Sequence, residues 1–391
     1  MTFRILTLNN ISAKGLARLP RERFEVGPGL AAPDAILVRS ADMHGVTVAP
    51  EVQAIGRAGA GTNNIPVAQL SRRGIPVFNT PGANANAVKE LVLAGLLLAA
   101  RNLGPAWLFA CALAGDDAAI DAAVESGKRA FVGFELPGRT LGVVGLGAIG
   151  VEVANAAQAL GMQVLGYDPQ ITVQRAWALS ASVAQAASLE ELFTRSDAVS
   201  VHVPLNEATR GLVNGARLAL MRPDGILLNF ARAGIVEEAA VIAALAAGRL
   251  HGYVCDFPSA ALRGQPRVIT LPHLGASTLE AEENCAVMVA EQVRDFLENG
   301  NIRNSVNYPE AVLPRVPGTT RLAIANSNVP NMVGQISTCL AGARLNIADL
   351  LNKSRGEFAY TLIDTDGAVS AEVLGQIRAI AGVLTARIVQ L

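Results

Sequence analysis

The sequence predicts an α/β chain with two doubly wound parallel-sheet domains and a C-terminal α+β domain of order βαββαβ. Three observations carry this. Short apolar runs alternate with helix-length segments between residues 4 and 271, as parallel strands buried on both faces do. A glycine-rich turn at Gly145–Gly150 joins one such run to a helix. Beyond a proline-rich stretch, residues 321–391 change to strand, helix, strand, strand, helix, strand.

In the first part, strands are expected at Arg4–Leu8, Ala35–Val38, Gln53–Ile55 and Val77–Asn79. Ligands of open parallel sheets bind beyond the carboxyl ends of the strands, so the tips are candidate site residues. One tip is Arg39-Ser40; another runs Arg57-Ala58-Gly59-Ala60-Gly61-Thr62. Its glycines offer backbone N–H groups to a carboxylate, and Arg39 and Arg57 offer positive charge to a phosphate. Asn79–Glu90 brings a turn with Asn84 or Asn86 as an N-cap. The helix after it, Ala87–Ala100, is apolar nearly all round, so it must be buried between elements or between subunits.

The stretch Arg139–Asp168 is the most informative. Leu141–Gly145 reads as a buried strand, and Gly145, Gly147 and Gly150 follow with the spacing GxGxxG. Gly145 permits the tight turn, Gly147 admits a pyrophosphate to the backbone, and Gly150 lets the helix pack close to the strand. Free N–H groups at Ala148, Ile149 and Gly150 would face the phosphates. A second strand, Gln163–Tyr167, ends in Asp168, 18 residues after Gly150. Its carboxylate would accept from an adenosine ribose and repel a 2′-phosphate, favouring NAD over NADP.

Further core strands are expected at Ala198–Pro204, Ile226–Phe230, Gly252–Val254 and Val268–Leu271. Their tips carry Arg232, Asp256 and His273, which a parallel sheet would bring to one crevice. A histidine can take a hydroxyl proton as hydride leaves the carbon, and a forked arginine can hold a carboxylate and polarise a carbonyl. Of the other histidines, His44 and His251 read as solvated, while His202 either lines the adenine side or is packed.

Composition narrows the class. Apolar residues make up 51% and charged ones 17%, with a net charge of −1, which speaks against nucleic-acid or anionic-membrane partners. The four cysteines lack CxxC or secretory spacing, so free thiols in a reducing compartment and no metal are expected. No signal-peptide pattern opens the sequence, and Leu91–Ala100 is too short to span a bilayer, so the expected location is cytoplasmic.

The blocks VRS, GRAGAGTNNIP, NTPGANANAVKE, GLGAIG, NFARAGIVEE, YVCDFP and PHLGASTLEAEEN resemble, in order, those of the D-2-hydroxyacid dehydrogenase family, in its branch acting on 3-phosphoglycerate. The resemblance covers about residues 1–305. It implies a substrate domain from 1–80 completed by 275–305, with a Rossmann-like NAD domain, 81–274, inserted between. It also implies that Arg39, Ser40 and Arg57 hold a phosphate, and Ala60, Gly61 and Asn84 the carboxylate end. Arg232 and His273 would be catalytic. His202, Pro204, Thr209, Ala231, Asp256 and Gly275 would join the glycine turn and Asp168 around NAD, Asp256 touching the nicotinamide amide.

One departure stands out. The family places a glutamate just beyond the aspartate of YVCDFP to orient the catalytic histidine; here DFPSAALRGQP has Ala260 and Ala261 instead. Loss of such a carboxylate can cost roughly four orders of magnitude in turnover. Three readings stay open: an oxidant of 3-phosphoglycerate, a dehydrogenase of another 2-hydroxy acid, and an NAD-binding regulatory protein impaired by the lost glutamate.

Residues 306–320 read as a linker, and 321–391 resemble an ACT domain, an amino-acid-sensing module. In that resemblance Asn328 and Asn346 would contact serine between two copies, with Asn326 where a histidine is usual. A homodimer or homotetramer is expected.

Overall fold

A computed structural model describes residues 2–389 and divides them into two compact units, one built from residues up to Asn84 and from Leu279 onward, the other from Ala85–Thr278. The first unit opens with strands β1 (Phe3–Leu8), β2 (Phe24–Gly27), β3 (Ala35–Val38), β4 (Ala54–Arg57) and β5 (Val77–Phe78). They pair in the order β2-β1-β3-β4-β5, all parallel. The helix Leu279–Asn299 returns to this sheet and lies across it. Small residues permit the approach: a Cβ at Gly15 would meet Ala286 at 2.5 Å, and one at Gly56 would meet Val289 Cγ2 at 2.7 Å.

The second unit holds β6 (Thr140–Val144), β7 (Gln163–Tyr167), β8 (Ala184–Gln185), β9 (Ala198–Val201), β10 (Ile226–Asn229), β11 (Gly252–Cys255) and β12 (Val268–Thr270). Their order is β12-β11-β10-β9-β6-β7-β8, again all parallel. Chain direction across the sheet reverses between β6 and β9, where a doubly wound sheet opens a ligand crevice. The helix Ala85–Ala100 buries Val88, Val92, Gly95 and Leu96, and Gly95 is small because a Cβ there would meet Phe230 at 2.9 Å. No single helix among the described residues is long and apolar enough to cross a membrane.

The C-terminal sheet belongs to the first unit. Its strands β13 (Thr320–Ser327), β14 (Ile347–Arg355), β15 (Phe358–Thr365) and β16 (Val383–Val389) pair antiparallel as β14-β15-β13-β16. With helices Met332–Gly342 and Ala371–Arg378 they give the expected βαββαβ order. Gln390, included in the expected last strand, lies outside the described residues. Alternate side chains of a strand point to opposite faces. Leu322, Ile324 and Ile363 therefore pack on the two helices, while Ala323, Ala325 and Leu362 join the core of the first sheet with Ile5, Leu37 and Phe296.

The segment 321–391 falls in the first compact unit, with the central strands β13 and β15 of its sheet buried. Residues 306–320 are bonded into the same unit. Asn307 accepts from Val77 N (2.8 Å) and donates to Ser71 Oγ (3.0 Å) and Ile75 O (2.9 Å), and the Tyr308 hydroxyl donates to Ser71 O (2.8 Å). These are specific, buried bonds.

A fully buried ion pair closes the junction. Arg321 Nε and Nη2 donate to the Asp364 carboxylate at 2.7 and 2.6 Å, and its remaining N–H groups reach Leu313 O (2.7 Å) and Pro314 O (2.9 Å). Removing one partner of a buried pair strands the other charge. We therefore expect Arg321→Ala to lower unfolding stability by about 3–5 kcal/mol, and Arg321→Met with Asp364→Leu to lower it far less, as read from denaturant midpoints.

Candidate active site

Each unit contributes its own set of residues. In the first, Arg39 follows β3 and Arg57 ends β4 on the adjacent strand. Arg39 grips Glu282 at the start of the returning helix, Nη1 at 2.5 Å from Oε2 and Nη2 donating to Oε1 at 2.6 Å. This raises the arginine's pKa and holds the glutamate below the usual carboxylate range. The Arg57 side chain runs over Gly59, where a Cβ would lie 1.6 Å from Nη1 and φ is +154°. Glycine is required there. Ala60 O accepts from Asn79 Nδ2 (2.6 Å), and Ser40 is exposed. Among the described residues, the buried Oδ1 of Asn84 has no hydrogen-bond partner. Nearby Cys285 is buried, and burial pushes its thiol up.

In the second unit the glycine turn has the geometry a dinucleotide needs. Gly145 sits at φ +90°, with the His202 carbonyl 2.7 Å from a would-be Cβ. Gly147 faces open space, which leaves room for a pyrophosphate. A Cβ on Gly150 would lie 1.9 Å from Gly145 O. The N-cap of the helix Ala148–Ala159 is Gly147, which has no side chain to cap it, so the first N–H groups of the helix can face a phosphate. Asp168 accepts from Leu146 N (2.9 Å) and Gln170 N (2.8 Å), which fixes its carboxylate at the tip of β7 with lone pairs to spare. The residues present fit NAD.

Around this turn the remaining residues divide. His202 Nε2 lies 2.8 Å from Ser200 Oγ, and burial pushes its pKa down to about 4. The imidazole is half-buried and held neutral. Thr209 turns its hydroxyl to Pro204 O and its N–H to Asn206 Oδ1 (3.0 Å), so both belong to one self-bonded loop.

Arg232, Asp256 and His273 follow the adjacent strands β10, β11 and β12. A chain of hydrogen bonds joins the tips. Buried Asn229 accepts from Ala231 N (3.2 Å) and donates to Arg232 O (2.9 Å), while its own carbonyl accepts from Asp256 N (3.2 Å). Asp256 O accepts from His273 N (3.1 Å), and the Asp256 carboxylate accepts from Leu274 N and Gly275 N, both at 2.8 Å. Asp256 and Gly275 thus build the histidine loop, a structural duty beyond the cofactor contacts expected of them. His273 itself is exposed, at φ +57°, with its ring edge-on to Phe257 at 5.3 Å. Among the described residues no carboxylate pairs with that ring. Ala260 and Ala261 are both exposed, and the nearby Glu238 is bonded to Ser259 Oγ at 2.7 Å.

Sequence reading missed Asn229 and Glu282. A polar residue closing the apolar run Ile226–Asn229 was the available signal for the first, and the acidic cluster in TLEAEEN for the second.

The C-terminal sheet has a cavity of about 170 Å³ lined by Asn326, Asn328, Asn331 and Asn352. Asn326 Oδ1 is buried there with no partner among the described residues. Asn346 is not part of that lining; it is exposed, its N–H donating to Asp366 Oδ1 (3.0 Å).

Two outcomes are expected from this geometry. Gly150→Ala should weaken NAD binding at least tenfold by titration calorimetry, because the helix must move off the strand. Asp168→Ala should raise the NADP-to-NAD preference at least tenfold, read as a ratio of dissociation constants, by removing the charge that repels a 2′-phosphate.

Comparison with known proteins agrees with this arrangement. The domain described as D-isomer specific 2-hydroxyacid dehydrogenase, NAD binding domain, matches residues 109–275. The D-3-phosphoglycerate dehydrogenase of Haemophilus influenzae is 34% identical over 357 residues, 88% of this chain and 82% of that protein. The enzyme of the same name from Synechocystis is 36% identical over 327 residues, 80% of this chain; the chain spans about half of that longer relative (55%). The crystal structure of NAD+-bound 3-phosphoglycerate dehydrogenase from Entamoeba histolytica aligns with 78% of this chain and 99% of its own, at 25% identity and a TM-score of 0.60. Glycine turn, strand order and sequence agree over most of the length, and the chain belongs to the D-isomer specific 2-hydroxyacid dehydrogenase family, with NAD as its cofactor.

Proposed function

We propose that this dehydrogenase oxidises the 2-hydroxyl of 3-phosphoglycerate to give 3-phosphohydroxypyruvate, the entry to phosphorylated serine synthesis. The observation that carries the reading is the hydrogen-bonded run of neighbouring strand tips holding Arg232 and His273. The names of the relatives supply the substrate. NAD, when bound, accepts the hydride. His273 takes the proton from the 2-hydroxyl, which geometry at an exposed loop tip allows. Arg232 holds the carboxylate and polarises the carbonyl as it forms. Arg39 and Arg57 take the phosphate, and Asn84 helps to hold the carboxylate end.

His273 works without the carboxylate that usually supports it, so turnover is low for the family. Purified protein with NAD and 3-phosphoglycerate should form NADH, and no NADH at any substrate concentration would end the proposal. His273→Gln should lower kcat by about 10²–10⁴-fold and leave NAD affinity unchanged. Placing an acid at Ala260 or Ala261 (A260E, A261E) should raise kcat; unchanged turnover in both would mean that the histidine needs no such partner.

Finer properties follow from the same reading. The C-terminal sheet acts as an ACT-like module whose asparagine-lined cavity takes serine, so Asn328→Ala should abolish any serine inhibition. Trp107, Leu108 and Val132 are 69%, 63% and 75% exposed, an apolar surface suited to a second copy in a cytoplasmic homo-oligomer.

A further inference from the structure

Arg39 already holds an anion of this chain's own. Both of its terminal nitrogens engage both oxygens of Glu282, the bidentate geometry in which a guanidinium would otherwise receive a phosphate. Neighbouring acids do not share the role: Glu283 is taken by Lys14 Nζ at 2.6 Å. The Arg39 and Glu282 side chains are 33% and 40% exposed, so the pair can open without disturbing the core. Glu282 stays ionised next to Arg39, so it leaves by rotation rather than by protonation.

We propose that Glu282 is an internal competitor for Arg39, displaced by the phosphate of 3-phosphoglycerate, and that it thereby sets how tightly the site takes its substrate. The inference rests on the reading of Arg39 as a phosphate ligand. An attached competitor acts at an effective concentration of the order of millimolar, without the entropic cost of association. A substrate carboxylate offers Arg39 the same charge and shape as Glu282, so it gains nothing by exchange. A phosphate brings close to two charges and three acceptor oxygens, and Arg57 on the next strand offers it a second cation.

Steady-state kinetics with 3-phosphoglycerate and with D-malate, which carries a carboxylate in place of the phosphate, tests this in Glu282→Gln, Arg39→Gln and the double variant. An exposed pair is worth up to about 1 kcal/mol, so Glu282→Gln should lower KM for 3-phosphoglycerate about two- to fivefold with kcat within twofold. It should lower KM for D-malate by no more than the same factor, because no ligand can gain more than the competitor withheld. In the Arg39→Gln background the same change should do nothing. An unchanged or raised KM for 3-phosphoglycerate in Glu282→Gln, or a larger gain for D-malate, overturns the proposal while leaving Arg39 as a phosphate ligand if Arg39→Gln raises that KM tenfold. If Arg39→Gln leaves KM unaltered, the phosphate assignment falls and the proposal with it.

Discussion

One buried carboxylate fixes the reactive edge of the nucleotide-binding sheet. Asp256 is 1% exposed, and both its oxygens are occupied by N–H groups of the loop that follows β12. Its carbonyl holds the N–H of His273, whose positive φ costs of order 1–3 kcal/mol in a non-glycine residue. Three hydrogen bonds from one residue therefore keep a strained histidine at the strand tip. Asn229 repeats the device one strand over, fixing the Arg232 turn from both its amide oxygen and its amide nitrogen. The reacting groups are exposed, and the groups that aim them are buried.

Much of this was legible in the sequence. Strands buried on both faces appear as continuous apolar runs, so ten of the parallel strands were readable, along with the chemistry at their tips. The short edge strands β2 and β8 were not, since an edge strand is only partly covered and FEVG or AQ leaves no run to recognise. The GxGxxG turn was legible because its spacing joins two glycines that a Cβ would jam, Gly145 and Gly150, to one that leaves open space, Gly147. Gly59 is required by its backbone φ of +154°, which no spacing encodes.

Residues 306–320 show the opposite failure. Their prolines and turn residues suggest a loose connection, whereas Asn307 and Tyr308 are fixed by partners more than 200 positions away in the chain. Composition reports local stiffness and carries no information about such distant partners. The effector residues were half legible for a related reason. Asn326 and Asn328 share a strand and its following loop, but the cavity they line is completed by Asn331 and Asn352 rather than by Asn346.

The two-sided burial of the C-terminal sheet has a structural consequence. A sheet covered by helices on one side and by another sheet's core on the other behaves as an inner layer, not an appendage. Deleting it would bare Phe296, Ile5 and Leu37 to water and leave the returning helix with one flank unsupported. In this chain the module is therefore part of the first sheet's interior, and removing it alone would leave apolar surface uncovered.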